Sequence, residues 1–172
     1  MVQSSLVKQV VACNDRCALL ATAQTTRERE GNAMNTAPHV VNKHIVLELV
    51  GPQGPAPVEG ELRYDPADPY AVSLVFFLSR REVVWVFARD LLMRGVHEPC
   101  GEGDVTVQPS LDADNRAIVT LELFSPEGRA LVQAPARGVL DFLQQTALSV
   151  SPGTEGLYLP LEEAISALLV GE

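Results

Sequence analysis

The clearest pattern of apolar and polar positions runs from residue 63 to 94, RYDPADPYAVSLVFFLSRREVVWVFARDLLMR. Tyr70, Val72, Leu74 and Phe76 share one phase, Ala71, Ser73, Val75 and Phe77 the other, and both phases turn apolar towards the end. That predicts a central strand covered on both faces. Ser79-Arg80-Arg81-Glu82 is a polar break of hairpin length. Val83 to Phe87 then forms a second strand rich in β-branched and aromatic residues, antiparallel to the first because so short a turn permits no crossover. At Ala88-Arg89-Asp90-Leu91-Leu92-Met93 helix formers take over, and Gly95 is placed to stop the helix after about two turns. Upstream, Asp65-Pro66-Ala67-Asp68-Pro69 is a rigid corner.

The flanks follow the same logic. Strands with alternating apolar positions are predicted over 39–50, 104–109 and 116–124, a shorter strand over 58–64, and a further hairpin arm over 129–133. Residues 51–57, GPQGPAP, and the stretch 96–103 read as loops. Asp112, Asp114 and Asn115 supply turn chemistry, and Ser125-Pro126-Glu127-Gly128 carries a type I signature. A helix opens at Pro135 with a stripe of Val139, Leu140, Phe142, Leu143 and Thr146. Pro152-Gly153 sets a tight turn that requires positive φ at Gly153. A last helix is expected over 160–170. The sum is an α+β fold, about seven mostly antiparallel strands with three helices, and no internal repeat in the sequence.

Residues 1–33 depart from this pattern. Leu6, Val10, Cys13, Cys17 and Leu20 have a loose helical spacing, and the segment ends in a polar run containing RERE. Asn14, Asp15 and Arg16 interrupt the apolar stretch where a signal peptide needs continuity. The remaining readings are a disordered or marginally helical extension, or a start misassigned upstream of Met34. Residues 34–172 are then the folded domain, long enough to bury roughly 70% of its unfolded surface.

Composition narrows the function classes. The chain has 172 residues, 13 Lys and Arg against 22 Asp and Glu, and a net charge of −9. Lys8, Arg16, Arg27 and Arg29, with Asp15, Glu28 and Glu30, precede Met34, so the domain keeps 9 cations against 19 anions. A domain of that balance repels phosphates at long range, which argues against nucleic-acid and anionic-membrane binding. No apolar run reaches the ~18 residues of a membrane span. Cys13, Cys17 and Cys100 are an odd count and point to free thiols.

Catalytic and ligand motifs are missing. Gly101-Glu102-Gly103-Asp104 lacks the Lys-Ser/Thr pair of a phosphate loop. Asp65, Asp68 and Asp90 lack the Gly and terminal Glu of a calcium loop. His39, His44 and His97 have no coupled Cys, Ser or Glu at catalytic spacing. The pattern predicts no enzyme, cofactor or metal site. Trp85 is either core filler or an interface anchor. Arg89-Asp90 reads as a local ion pair or cap, whose exposed form contributes at most about 1 kcal/mol.

Six segments, RYDPADPYAV (63–72), VVWVFARDLL (83–92), GEGDVTVQPS (101–110), SPEGRALVQAPAR (125–137), FLQQT (142–146) and SPGTE (151–155), resemble the SsgA-like family. These are sporulation-linked cell-division proteins of filamentous actinobacteria, and the likeness is greatest to the SsgB type. The resemblance implies a non-enzymatic adaptor, cytoplasmic and peripheral at the septum. Such adaptors mark septum sites and recruit the tubulin-like GTPase FtsZ, with SsgA-type proteins as partners. It also implies a homotrimer whose subunit is similar to the whirly single-stranded nucleic-acid binders, a likeness that does not itself license nucleic-acid binding. The alternatives are such a binder, or a paralogue controlling autolysis and spore separation. Trp85, Arg89, Asp90, Leu131 and Gly153 are the candidate interaction or structural-motif positions on these segments. The family start resembles Met34-Asn35-Thr36, and the 33-residue leader, Ser151 and the basic hairpin tip depart from its pattern.

Overall fold

The computed structural model describes residues 10–11, 37–79, 81–126 and 128–159. Among the described residues nine strands form one sheet in the order β1-β5-β4-β3-β2-β9-β8-β7-β6. They are β1 (Val10–Val11), β2 (Val41–Gly51), β3 (Gly54–Tyr64), β4 (Ala71–Leu78), β5 (Arg81–Ala88), β6 (Cys100–Glu102), β7 (Val105–Leu111), β8 (Ala117–Ser125) and β9 (Gly128–Pro135). Helix α1 (Arg89–Gly95) follows β5 and α2 (Ala136–Ser149) follows β9, with a 3-10 turn at Glu155–Tyr158. Every pairing is antiparallel except that of β1 with β5.

Four strands and a helix therefore occur twice in succession, the two halves meeting where β2 pairs β9 through Glu48–Val50. The repetition is topological only. The two halves share one core, to which each contributes different residues.

Both helices lie over the same face. Ile45 and Leu47 of β2, Leu62 and Tyr64 of β3, Val72 and Leu74 of β4, and Val119 and Leu121 of β8 meet Leu91, Leu92, Val139, Phe142 and Leu143 in one cluster. β4 lies between β3 and β5, and its two neighbouring residues Leu74 and Val75 are 1% and 0% exposed, on opposite faces. That is the doubly covered strand the pattern predicted. His39 and Ser149 close the structure at the chain's entry. The His39 N–H donates to Ser149 Oγ at 2.8 Å, and that hydroxyl donates to the His39 carbonyl at 2.7 Å.

Several expectations need correction. Strand pairing is seen for nine segments rather than seven, because Val10–Val11 and Cys100–Glu102 also join the sheet. Two α-helices stand among the described residues, and the helix expected over 160–170 lies outside them. The leader's helical spacing is not realised at Val10–Val11, and the rest of 1–33 also lies outside the described residues. The 51–57 loop shrinks to a turn, with Pro55 opposite Val50 and Pro57 opposite Glu48. Prolines are tolerated there because β4 pairs β3 only from Gly60 to Arg63, leaving that flank of β3 open.

Gly95 has a different purpose from the one expected. It is the last residue of α1 and is absent from the positive-φ glycines, so it does not stop the helix as a left-handed cap. A Cβ at this position would lie 2.4 Å from Val107 Cβ, so glycine is what lets α1 lie directly on β7.

Candidate interaction surface

Arg89 opens α1, and its N–H donates to the Tyr70 carbonyl at 2.7 Å as the chain leaves β5. This anchor turns the side chain inward, where it is 1% exposed. Nη1 donates to Val150 O at 2.8 Å, Tyr64 Oη at 3.2 Å and Thr146 O at 3.4 Å. Nη2 meets Glu155 Oε1, and the guanidinium carbon lies 5.1 Å from the Tyr64 ring centroid. Thr146 O and Val150 O stand at the carbonyl end of α2, where partial negative charge accumulates and a cation is favoured. One guanidinium thus ties β3, the β5–α1 corner, the end of α2 and the 3-10 turn.

The expected Arg89-Asp90 pair is not formed. Adjacent helical residues point in different directions. Asp90 is exposed and faces Arg94 one turn on, at 3.5 Å. Arg89 faces Glu155, 66 residues away, a pairing no local reading reaches.

Gly153 belongs to the same construction. Thr154 N donates to Ser151 O at 3.0 Å, with Pro152 second and Gly153 third at φ +86°. This is a type II turn with the residues it demands. It reverses the chain immediately after Val150 and brings Glu155 back to Arg89. Arg89 and Gly153 are therefore two parts of one clamp, whereas Trp85, Asp90 and Leu131 lie elsewhere. Trp85 is half-buried against the core opposite Leu74. Leu131 is half-buried on β9, opposite Val50 and Glu122.

The face of the sheet turned away from the helices carries a second cluster. The register sets His44 opposite Glu61 and Val46 opposite Glu59, with Arg63 two residues along β3 and Phe77 on β4. Glu61 takes His44 Nε2 at 3.3 Å and the Nε of Arg63. The His44 ring lies 6.2 Å from that of Phe77 at 29°, and Arg63 is 6.0 Å from the same ring. Glu61 is buried although His44 is 78% exposed, so a screened carboxylate organises an exposed basic and aromatic rim. Val46 is 51% exposed beside it. An open cleft of about 440 Å³ adjoins this rim between Arg63, Ser73 and the Asp65–Asp68 corner. The alternation Glu59, Glu61, Arg63 was the signal that could have found the cluster, but which face it lands on depends on where the helices pack.

His44, expected to stand without a coupled Glu, has Glu61 at 3.3 Å because the β2–β3 register sets the two opposite one another. Asp65 Oδ1 accepts the Ala67 N–H at 2.9 Å and so serves the corner. Gly101 and Glu102 belong to β6. Among the described residues no three His, Cys, Asp or Glu are grouped to hold a metal. No described helix is long and apolar enough to cross a membrane.

The model of the SsgA family, described as Streptomyces sporulation and cell division protein SsgA, matches residues 58–155. The chain belongs to the SsgA family. That match takes in β3 from Val58 onwards, the strands from β4 to β9 and both helices, and includes Trp85, Arg89, Asp90, Leu131 and Gly153. The sporulation-specific cell division protein SsgB of Streptomyces coelicolor is 47% identical over 127 residues, 73% of this chain and 91% of that protein. SsgB of Saccharopolyspora erythraea is 46% identical over 136 residues, 74% of this chain and 95% of that protein. Two solved structures share the fold. One, from work on SsgB mutations and longitudinal cell division in S. coelicolor sporulation, has TM-score 0.67 and 44% identity, covering 72% of this chain and 98% of its own. The other, an SsgA-like sporulation-specific cell division protein of Thermobifida fusca, has TM-score 0.69 and 32% identity, covering 78% and 98%.

Proposed function

We propose that this SsgA-family protein is a non-enzymatic adaptor of cell division during sporulation, one that marks septum sites and recruits or positions FtsZ. The observation that carries the reading is the 47% identity to SsgB of S. coelicolor across 91% of that protein. In this reading it works in the cytoplasm at the septum as a homotrimer, alongside SsgA-type proteins. Two structural features support an adaptor. The largest buried charge, Arg89, is consumed in holding the fold, and the rim around Glu61 offers contact chemistry without a nucleophile.

The sheet face bearing Glu48, Glu59, Glu61 and Glu122 beside Arg63 and Arg129 is a poor platform for a phosphate backbone, so the single-strand-binding reading is not favoured. The test is capture of FtsZ by the purified chain, sedimentation for the trimer, and a fluorescent fusion followed through sporulation. Retention of FtsZ and fluorescence at septum sites before constriction are expected. Absence of FtsZ, with fluorescence arriving only after septa close, would overturn the reading in favour of a role in autolysis and spore separation.

A further inference from the structure

An open sheet has two edges, and this one treats them differently. β6 is three residues long, a blunt edge that offers little backbone to another strand. β5 is eight residues long, and Val83, Val84, Trp85, Val86 and Phe87 make it apolar and strongly β-forming. An edge of that length and composition is a template for any extended chain unless something covers it.

The polarity of its backbone can be read from one bond. Arg89 N–H donates to Tyr70 O on the β4 side. Groups alternate along a strand, so the N–H and C=O of Phe87 and Trp85 also point to β4, and those of Val84 and Val86 point to the open edge. β1 meets that edge in parallel, Val10 opposite Val86 and Val11 opposite Phe87. Only the end of β5 next to α1 is paired in this way. The stretch from Arg81 to Trp85 has no strand partner on that side among the described residues.

We propose that the outer edge of β5 is a strand-docking site, and that the protein's own leader, through Val10–Val11, is its occupant. The leader is an intramolecular cap on an edge that otherwise accepts an extended, β-branched peptide from another chain. The choice of the leader over a second copy rests on the observed parallel register of Val10 and Val11 with Val86 and Phe87. The proposal is independent of which partner the adaptor serves.

Residue-resolved amide exchange on the full chain tests it, comparing the unaltered protein with Val10→Pro/Val11→Pro. Proline removes donors and cannot continue the pairing. In the unaltered chain the Val86 amide is expected to exchange at least about tenfold more slowly than that of Val84, and to lose that protection in the variant. Trp85 and Phe87, bonded to β4, are expected to stay protected in both, which also reports that the variant is folded. Val86 exchanging as fast as Val84 in the unaltered chain, or unchanged by the prolines, overturns the proposal. A second measurement needs no variant. Nuclear Overhauser contacts between residues 9–11 and Val86–Phe87 are expected within single molecules of a mixed labelled and unlabelled sample. Contacts only between molecules would assign the edge to a second copy and overturn the assignment to the leader, as would no contacts at all.

Discussion

The guanidinium of Arg89 donates to the carbonyl of Val150 at 2.8 Å across 61 residues of chain, joining the first four-strand half to the end of the second half's helix. The same side chain pairs with Glu155, so one residue spans the seam between the halves. A buried charge of this kind is costly to orphan, and the fold depends on keeping its acceptors in place.

Arg89→Met is expected to cost about 3–5 kcal/mol, because Glu155 then loses its partner and two carbonyls lose a donor. Urea unfolding measures it. Adding Glu155→Gln should make the pair of changes cost less than their sum. Arg89→Lys should rescue only part, since an ammonium cannot reach Tyr64, Val150 and Glu155 together as a planar fork does.

Gly153→Val should cost about 1–3 kcal/mol, because φ is +86° and a β-branched residue is strained there whatever the space around it. Gly153→Asn should cost less, as Asn tolerates the left-handed region. Equal melting temperatures for the Val variant and the parent would show that the turn re-forms with another geometry.

Gly95→Ala tests the contact between α1 and β7. Its Cβ would stand 2.4 Å from Val107 Cβ, and overpacking of this sort costs about 1–3 kcal/mol. In a Val107→Gly background the increment should shrink, since both obstructing side-chain atoms, Cβ and Cγ1, are gone. An increment of the same size in both backgrounds would point to something other than this overlap.

Alkaline stability should report on Tyr64. Burial pushes its phenol above the ordinary 10.0, opposed by the nearby Arg89 cation and helped by Glu155. The folded state holds this proton more tightly than the unfolded chain. Its contribution is therefore complete below pH 10.0 and is lost as pH rises through the folded value. Urea midpoints measured on the alkaline side should fall more steeply for the parent than for Tyr64→Phe. Parallel curves would mean that the phenol ionises alike in both states.

Val46→Glu addresses the outer sheet face. Val46 is 51% exposed, so stability should stay within about 0.5 kcal/mol while FtsZ capture is lost if this face meets the partner. Undiminished capture would move the contact elsewhere.

The local code was largely legible. The β4–β5 hairpin, the Asp65–Pro69 corner, the switch to helix at Arg89 and the positive φ of Gly153 all follow from residues within a few positions of one another. β6 was not legible, because Cys100-Gly101-Glu102 has no alternation of its own and is held only by pairing with Val105–Val107. Pro55 and Pro57 misled for a related reason, since their fitness for a strand depends on where the neighbouring β4 ends.

By itself the sequence determined most of the strands, turns and helices, β6 and the Pro55–Pro57 arm of β3 apart, and the acidic balance of the domain. Tertiary structure alone decided that β2 and β9 form the seam, that Arg89 is a buried tie to Val150 and Glu155, and that His44, Glu61, Arg63 and Phe77 share a rim. The physical reason is range. Propensity, turn geometry and alternation act over a few residues, whereas burial and the partnering of charges are settled between segments that meet only once the sheet is assembled.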